Sequence, residues 1–390
     1  MRKPEQIALV KRLLHYIESK TTYQAEAVWR NDVSVYTSPE RLAREQERFF
    51  RGQPLMLGFA SEWAKPGDYK TDDYVGVPIL AVRGRDGVLR AFLNVCRHRG
   101  SKVVDGCGNA KALSCPYHAW SYDLAGRVTH IPDERSFPGV KAERPTLTPL
   151  PVCEKHGLVW VMPTPATDGA ASFDIDPWLG ELADELEAYG FGSWTHYTTR
   201  EIRTRMNWKL AIDTFHEGYH IGALHRKTIA PIFANATDFR AYGPHLRMAI
   251  PRSKITRLKD QPESQWDAIW NTALVYTMVP NAVFVVNGDH VELWRMFPDE
   301  NRPDRCVMTL SFYIPEPVAS EERKRHWDAN VDLTVRTVLE EDFPVGESIQ
   351  SGFTSGAQSH TVYGRNEPAM IHYHRALTRL VEGDLAQAAE

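Results

Sequence analysis

The sequence predicts an α+β protein built from two modules, a small all-β unit and then a larger antiparallel sheet with helices packed on one face. Three observations carry this expectation. From Met56 to Met162 the chain is a series of short β-type runs separated by turn residues. The stretch from Pro163 to Ser172 is small, polar and proline-bearing, as suits a boundary. Beyond it come longer apolar runs, an Asn287-Gly288-Asp289 hairpin signal and two helix-like stretches. The length of 390 residues agrees, because roughly 150 residues per domain gives two or three domains and an ample core.

Residues 1–48 are expected to form a helical arm that packs on the second module, with helices over Glu5 to Ser19 and Pro39 to Phe49. The second is opened by Thr37-Ser38-Pro39, which puts proline at a first helical position. Residues 49–165 are the all-β module, with strands expected at Tyr74 to Val82, Leu89 to Val95, Lys111 to Ser114 and Gly157 to Val161. Residues 166–390 are the second module. Its expected strands are Thr195 to Met206, His245 to Pro251, Ala282 to Val286, Val291 to Phe297 and Cys306 to Ile314, and its expected helices run from Trp208 to about Ile221 and from Ser320 to about Glu341. The chain shows no internal repeat and no low-complexity tract.

Composition excludes several function classes. At 43% hydrophobic and 25% charged residues the chain is neither disordered nor membrane-spanning, since no apolar run approaches the roughly 20 residues a span needs. Lys and Arg number 46 against 50 Asp and Glu, a net charge of -4, so no general attraction to nucleic acid is expected. Five cysteines, at 96, 107, 115, 153 and 306, are too few and too scattered for a disulfide framework. The charged start lacks a signal-peptide apolar region, and a reduced, cytoplasmic location is expected. Histidine is plentiful, at 15 residues.

In the β module stand Cys96-Arg97-His98 and, sixteen residues later, Cys115-Pro116-Tyr117-His118. Each pair is short enough for one tight loop, with Gly100 and Pro116 permitting the sharp turns, so two hairpin tips can bring two Cys and two His to one centre. That donor set suits tetrahedral zinc or a two-iron, two-sulfide cluster of Rieske type, and spacing alone does not separate them. Cys107 lies between the pairs without a nearby His and reads as a loop thiol; Cys153 and Cys306 read as buried.

The second module holds Asn207-Trp208-Lys209, Asp213, His216-Glu217, Tyr219-His220 and His225. His216-Glu217-x-x-His220 is literally the zinc-peptidase pattern, in which two imidazoles share a helix face and Glu is the base. The other reading pairs His220 with His225. Those positions lie about 140° apart on a continuous helix, so shared ligation requires the helix to end or distort, and Gly222 supplies that freedom. Asp213, Glu217 and His220 recur at i, i+4 and i+7, which would put both acids on the face of the first ligand. Far along the chain, Val331, Val335, Val338 and Asp342 form an inward-facing stripe, so Asp342 can supply the carboxylate of a two-His, one-carboxylate iron site. Glu340 and Glu341 read as solvated, and Pro344 as the end or kink of that helix.

The run from Cys96 to Gly100 and from Cys115 to Gly126 closely resembles the Rieske signature of ring-hydroxylating oxygenase large (alpha) subunits. Asn207-Trp208-Lys209 through His225, with Glu341-Asp342, Glu347 and Gln350, is similar to the catalytic motif of the Rieske non-haem iron oxygenases. The resemblance spans about residues 50 to 360. It implies a Rieske [2Fe-2S] domain joined to a helix-grip-like catalytic domain, with Cys96 and Cys115 on one cluster iron, His98 and His118 on the other, and His220, His225 and Asp342 on a mononuclear Fe(II). Glu217 falls where the family places an acid linking the iron site to the Rieske site of a neighbouring subunit, and its length resembles the quaternary-amine monooxygenase branch. His216 matches no family role and is read either as a support behind the metal ligands or as packing.

The resemblance further implies a homotrimer that reductively activates oxygen and inserts it into an organic substrate, aromatic or otherwise largely apolar. Phe233, Tyr242, Phe284, Trp294 and Phe312 are candidates for the pocket. The chain has no dinucleotide fingerprint, since Gly106-Cys107-Gly108 lacks the third glycine. A separate NAD(P)H-dependent flavin reductase, with or without a ferredoxin, is therefore implied as partner. The alternative is a zinc metallopeptidase using His216, Glu217 and His220, with structural zinc at the Cys/His loops.

Overall fold

Turn residues between short strands build the β unit, as the sequence pattern requires. In the computed structural model, which describes residues 1–383, this unit is Gln46–Trp178 with Gly190–Ser193. Its strands form three antiparallel sheets. One is ordered Pro149–Leu150, Leu89–Leu93, Ile79–Arg83, Asp68–Asp72, Cys107–Asn109; a second Val152–Lys155, Leu158–Val161, Leu55–Phe59; the third Leu113–Ser114, Ser121–Tyr122, Val128–His130. His156 and Gly157 make a tight hairpin turn with both φ angles positive, 57° and 76°. Glycine is obligatory at 157 also for space, since a Cβ there would stand 2.1 Å from the Gly192 nitrogen. Residues 166–178 travel with this unit, tied by Lys155 and His156 to Asp174 and Asp176.

The strand expected from Tyr74 begins only at Ile79, because Asp73–Pro78 is a turn with Gly76 at φ 77°. Leu55–Phe59 and Asp68–Asp72 were not anticipated. The first is a short, fully buried apolar run without alternation, and the second is a charged sequence that becomes a strand by pairing on both sides. Cys107 lies not in a loop but on an exposed edge strand.

The other unit joins Met1–Glu45 and Leu179–Tyr189 to the chain from Trp194 onward. Its centre is a seven-stranded antiparallel sheet in the order Thr195–Thr204, Cys306–Ile314, Val291–Pro298, Ala282–Val286, Thr272–Met278, His245–Pro251, Asp238–Tyr242. Five of these strands stand where alternation and turn signals put them. Thr272–Met278 escaped notice because it is buried on both faces and shows no alternation. The helix Pro368–Glu382 was also missed, although Pro368 opens it and Gly383, at φ 88°, closes it.

The Trp208 helix is shorter than expected. It runs only to Asp213, and a separate helix covers Ile221–Leu224. Its start is fixed by Asn207, whose side chain accepts from the Lys209 N–H at 3.0 Å and donates to the carbonyls of Tyr36 and Pro303. Its end is tightened by bonds from the Phe215 and His216 amides to carbonyls three residues back, while the Thr214 hydroxyl donates to the Ala211 carbonyl. Glu321–Thr337 passes through a π-helical turn, Val338–Asp342, into the helix Phe343–Thr354. Pro344 therefore sits in the first turn of a new helix instead of stopping the old one.

The Asn207-Trp208-Lys209 run is anchored by Glu45. Its buried carboxylate accepts from Lys209 Nζ at 2.8 Å, Trp208 Nε1 at 3.1 Å and Arg41 Nε at 2.9 Å. Removing one partner strands a buried charge, so Glu45→Ala is expected to lower the unfolding free energy by about 3–5 kcal/mol, and Glu45→Leu with Lys209→Met to recover part of it. Denaturant titration of the two variants checks this.

Candidate functional site

Two loops of the β unit are built alike. In Cys96–Ser101 the Gly100 N–H donates to the Cys96 carbonyl at 3.0 Å and the Cys96 N–H to the Ser101 carbonyl at 2.8 Å. In Cys115–Trp120 the Ala119 N–H donates to the Cys115 carbonyl and the Cys115 N–H to the Trp120 carbonyl, both at 2.9 Å. Gly100 and Ala119 occupy equivalent places with positive φ, 81° and 57°. Two short sequences thus fold into matching knuckles, each with a cysteine at its base and a histidine near its tip. The thiols of Cys96 and Cys115 are buried and free, while the rings of His98 and His118 meet edge to face with centroids 4.7 Å apart. His98 also stacks on Trp120 at 5.0 Å.

The donor set fits an iron-sulfur cluster. His98 Nδ1 is buried with no hydrogen-bond partner, an unsatisfied ring nitrogen at a place a metal would occupy. Burial first, and then His118 and Arg99, hold the His98 imidazole below its ordinary pKa, which favours the neutral form that ligates. The Tyr122 hydroxyl stands 3.2 Å from Cys96 Sγ and accepts the Arg97 N–H, steadying one sulfur.

In the other unit His220 and His225 flank the short helix Ile221–Leu224, His220 just before it and His225 just after. The helix is only four residues long, so both imidazoles turn to one side without any special conformation at Gly222. His220 Nε2 and His225 Nε2 are 3.1 Å apart, and Asp342 Oδ1 lies 3.5 Å from the first and 3.2 Å from the second. Among the described residues this is the one group of three or more His, Cys, Asp or Glu with the spacing of a metal site. Two ligands about 2.1 Å from one ion at right angles stand about 3.0 Å apart, so the spacing matches a facial set on a single metal.

Carboxylates settle which way the rings face. Glu217 takes the Nδ1 hydrogen of His220 and also accepts its backbone N–H at 3.0 Å. Glu341 takes the Nδ1 hydrogen of His225 at 2.6 Å and accepts the Thr228 hydroxyl at 2.6 Å. A carboxylate can only accept, so both Nε2 atoms are turned toward the shared centre. Glu341, expected in solvent, is thus a support of the site; the π-helical turn adds a residue and swings it inward beside Asp342. Burial pushes the Glu341 carboxyl up, but His225 and Thr228 together leave it below its usual range. Burial likewise opposes charge on His225, and Asp342 and Glu341 outweigh it, raising its pKa.

A cavity of about 220 Å³ opens beside this group. Its walls are mostly apolar, including Ile221, Ile232, Ile250, Val275 and Leu333, with Phe215 and Phe233 as its aromatic faces. Of the aromatic candidates only Phe233 lines it. Trp294 and Phe312 stand one layer back, against Phe215 and His290, Phe284 is in the core, and Tyr242 donates to Glu185.

Asp213 is not placed as a continuous helix would place it. The helix ends at this residue, and its buried carboxylate accepts from Tyr36 at 2.6 Å and bonds His374 at 2.9 Å, touching neither His220 nor His225. The peptidase pattern is taken apart by the same break. His216 points away, with Nε2 2.7 Å from the Thr277 hydroxyl and its ring against Tyr373.

Two family models match successive parts of the chain. Residues 53–148 match the Rieske [2Fe-2S] domain, and residues 191–383 the ring hydroxylating alpha subunit (catalytic domain). The carnitine monooxygenase oxygenase subunit of Escherichia coli (strain K12) is 26% identical over 387 residues, 91% of this chain and 94% of that protein. Chlorobenzene dioxygenase subunit alpha of Cupriavidus sp. (strain PS12) is 36% identical over 206 residues, 50% of this chain and 44% of that protein. Among solved structures, the quaternary ammonium Rieske monooxygenase CntA in complex with L-carnitine has the same fold, with a TM-score of 0.75 at 21% identity, covering 93% of this chain and 96% of that one.

The buried position of His216 has a consequence for pH. Burial lowers its pKa from 6.5 to about 3, so the folded protein holds it neutral while the unfolded chain protonates it near 6.5. The unfolded state then binds the extra proton, and stability present above pH 6.5 is lost as pH falls toward 3, at up to about 1.4 kcal/mol per pH unit. Denaturation of wild type and His216→Gln between pH 7 and 4 should show a shallower fall in the variant.

Proposed function

The chain belongs to the Rieske non-haem iron oxygenases, combining a Rieske [2Fe-2S] domain with a ring-hydroxylating alpha-subunit catalytic domain that binds mononuclear iron, and from that premise we propose a terminal oxygenase acting on a small substrate with a quaternary ammonium group. The observation that carries the oxygenase reading is the convergence of His220 Nε2, His225 Nε2 and Asp342 Oδ1 at the mouth of an apolar cavity. The ammonium part rests on the relatives matched nearly end to end, carnitine monooxygenase oxygenase subunits, and on choline monooxygenase of Beta vulgaris, matched over 87% of this chain; the dioxygenase relatives match about half. Apolar walls alone would suit an aromatic ring equally, and the aromatic expectation rested on the family resemblance.

In this reading Cys96, Cys115, His98 and His118 would hold the cluster, and His220, His225 and Asp342 the iron. When bound, the two groups supply single-electron transfer and reductive activation of oxygen. The chain's own residues do the rest. Glu217 and Glu341 hold the Nδ1 hydrogens of the two histidines and keep their Nε2 lone pairs on the metal side. The isoleucine and valine walls exclude water from the space where substrate meets the metal position. Asp213, bonded to Tyr36 and His374, ties the amino-terminal and carboxy-terminal segments to the helix that leads into the site.

Electrons come from a separate reductase, an NAD(P)H-dependent flavoprotein acting with or without a ferredoxin. A homotrimer belongs to the same proposal, with Glu217 and His220 directed to the adjoining chain's cluster. Both are partly exposed, and exposed Tyr219, Val345 and Ile349 lie around them, an apolar rim of the kind a subunit would cover. No described helix is long and apolar enough to cross a membrane.

Metal analysis tests the reading: about three irons and two acid-labile sulfides per chain are expected. Zinc without sulfide would overturn it. His225→Ala should lose the mononuclear iron and oxygen insertion yet keep the reduced Rieske signal in electron paramagnetic resonance. Glu341→Ala should weaken iron binding by roughly 10- to 100-fold, measured by chelator competition, with the cluster signal unchanged.

A further inference from the structure

The cavity contains a cation with no ion-pair partner among the described residues. Its other charged groups are paired: Glu217 with His220, Asp342 with His225, His290 with Asp289 at 2.9 Å. Glu292 accepts from Trp294 Nε1 at 3.0 Å and from the Thr334 hydroxyl at 2.8 Å. Arg252 differs. Its guanidinium lies over the Phe233 ring at 5.7 Å and reaches only the Asn287 carbonyl, at 3.4 Å. Nε is buried without a partner, and among the described residues no carboxylate stands within ion-pair distance of it.

The side chain is held in place. Arg252 directly follows the strand His245–Pro251, its N–H donates to the Asn271 carbonyl at 2.9 Å, and its backbone bridges to Phe233. Burial lowers its pKa and Asp289 offsets this only in part. A desolvated charge that is only partly compensated is costly, and a ligand anion offsets that cost. A guanidinium with free N–H donors presents a planar fork that matches a carboxylate.

We propose that Arg252 is a specificity-determining residue that docks a substrate carboxylate, so that the molecule lies along the apolar cavity with its other end at the His220, His225 and Asp342 centre. This rests on the oxygenase reading above and narrows it: combined with the ammonium group, the substrate is a zwitterion with its two charges at opposite ends of a short aliphatic chain. Arg252 touches substrate and takes no part in oxygen chemistry.

Binding without turnover tests it. Anaerobic calorimetry on oxidised enzyme loaded with cluster and iron would compare trimethylammonio-butanoate, its primary amide, and its isostere with carbon in place of the ammonium nitrogen. Wild type should bind the acid roughly 10- to 100-fold more tightly than the amide, and Arg252→Gln should abolish that ratio. Arg252→Lys should retain part of it. Iron content and the reduced cluster signal should match wild type in both variants. Should either be misassembled, the ratio in the other decides.

Equal binding of acid and amide by wild type, survival of the ratio in Arg252→Gln, or no binding of either acid overturns the proposal. The carbon isostere separates the two readings. If it binds as tightly as the ammonium compound, the quaternary-ammonium reading fails while the carboxylate ratio still judges Arg252.

Discussion

Two imidazoles whose Nδ1 hydrogens are claimed by carboxylates must turn their Nε2 atoms somewhere else, and in this protein they turn them toward each other and toward Asp342. The two Nε2 atoms and the Asp342 carboxylate oxygen stand 3.1 to 3.5 Å apart, a spacing at which one cation can meet all three. Much of the local architecture serves that convergence. The helix from Trp208 stops at Asp213, the next begins at Ile221, and the helix Glu321–Thr337 opens into a π-helical turn at Val338–Asp342 that presents two adjacent acids in two different roles.

The β unit reaches the same end by repetition. Two knuckles of matching hydrogen-bond pattern each offer one thiol and one imidazole, and the thiols are buried while the histidines lie nearer the surface. The asymmetry would suit electron transfer, because a cluster held by these residues would meet solvent through its histidines and be insulated at its thiolates. Burial of Trp120 beneath the His98 ring and of Tyr122 beside Cys96 gives the knuckles a rigid floor.

The cavity combines these constraints with selectivity. Apolar walls exclude water and tolerate many carbon skeletons, so discrimination falls to the few polar groups among them. Paired groups are already satisfied and contribute little to recognition. The unpaired Arg252 is different, because its compensation has to come from a ligand.

That Cys96–His98 would meet Cys115–His118, and His220 meet His225, was legible in the linear order, since paired Cys/His spacings and the separation of His220 from His225 are local features of the chain. Asp342 was legible too, as an acid on an apolar stripe. The sequence by itself also determined the two-module α+β plan, because alternation and turn residues are properties of neighbours in the chain. Only the tertiary structure decided that Glu341 supports His225, that Asp213 bonds Tyr36 and His374 instead of the histidines, that His216 leaves the peptidase pattern for Thr277, and that Arg252 faces the cavity alone. Each of these depends on a helix break, a π-helical turn or a partner 61 to 177 residues away, and no periodicity along the chain encodes a change of helical phase or an absent neighbour.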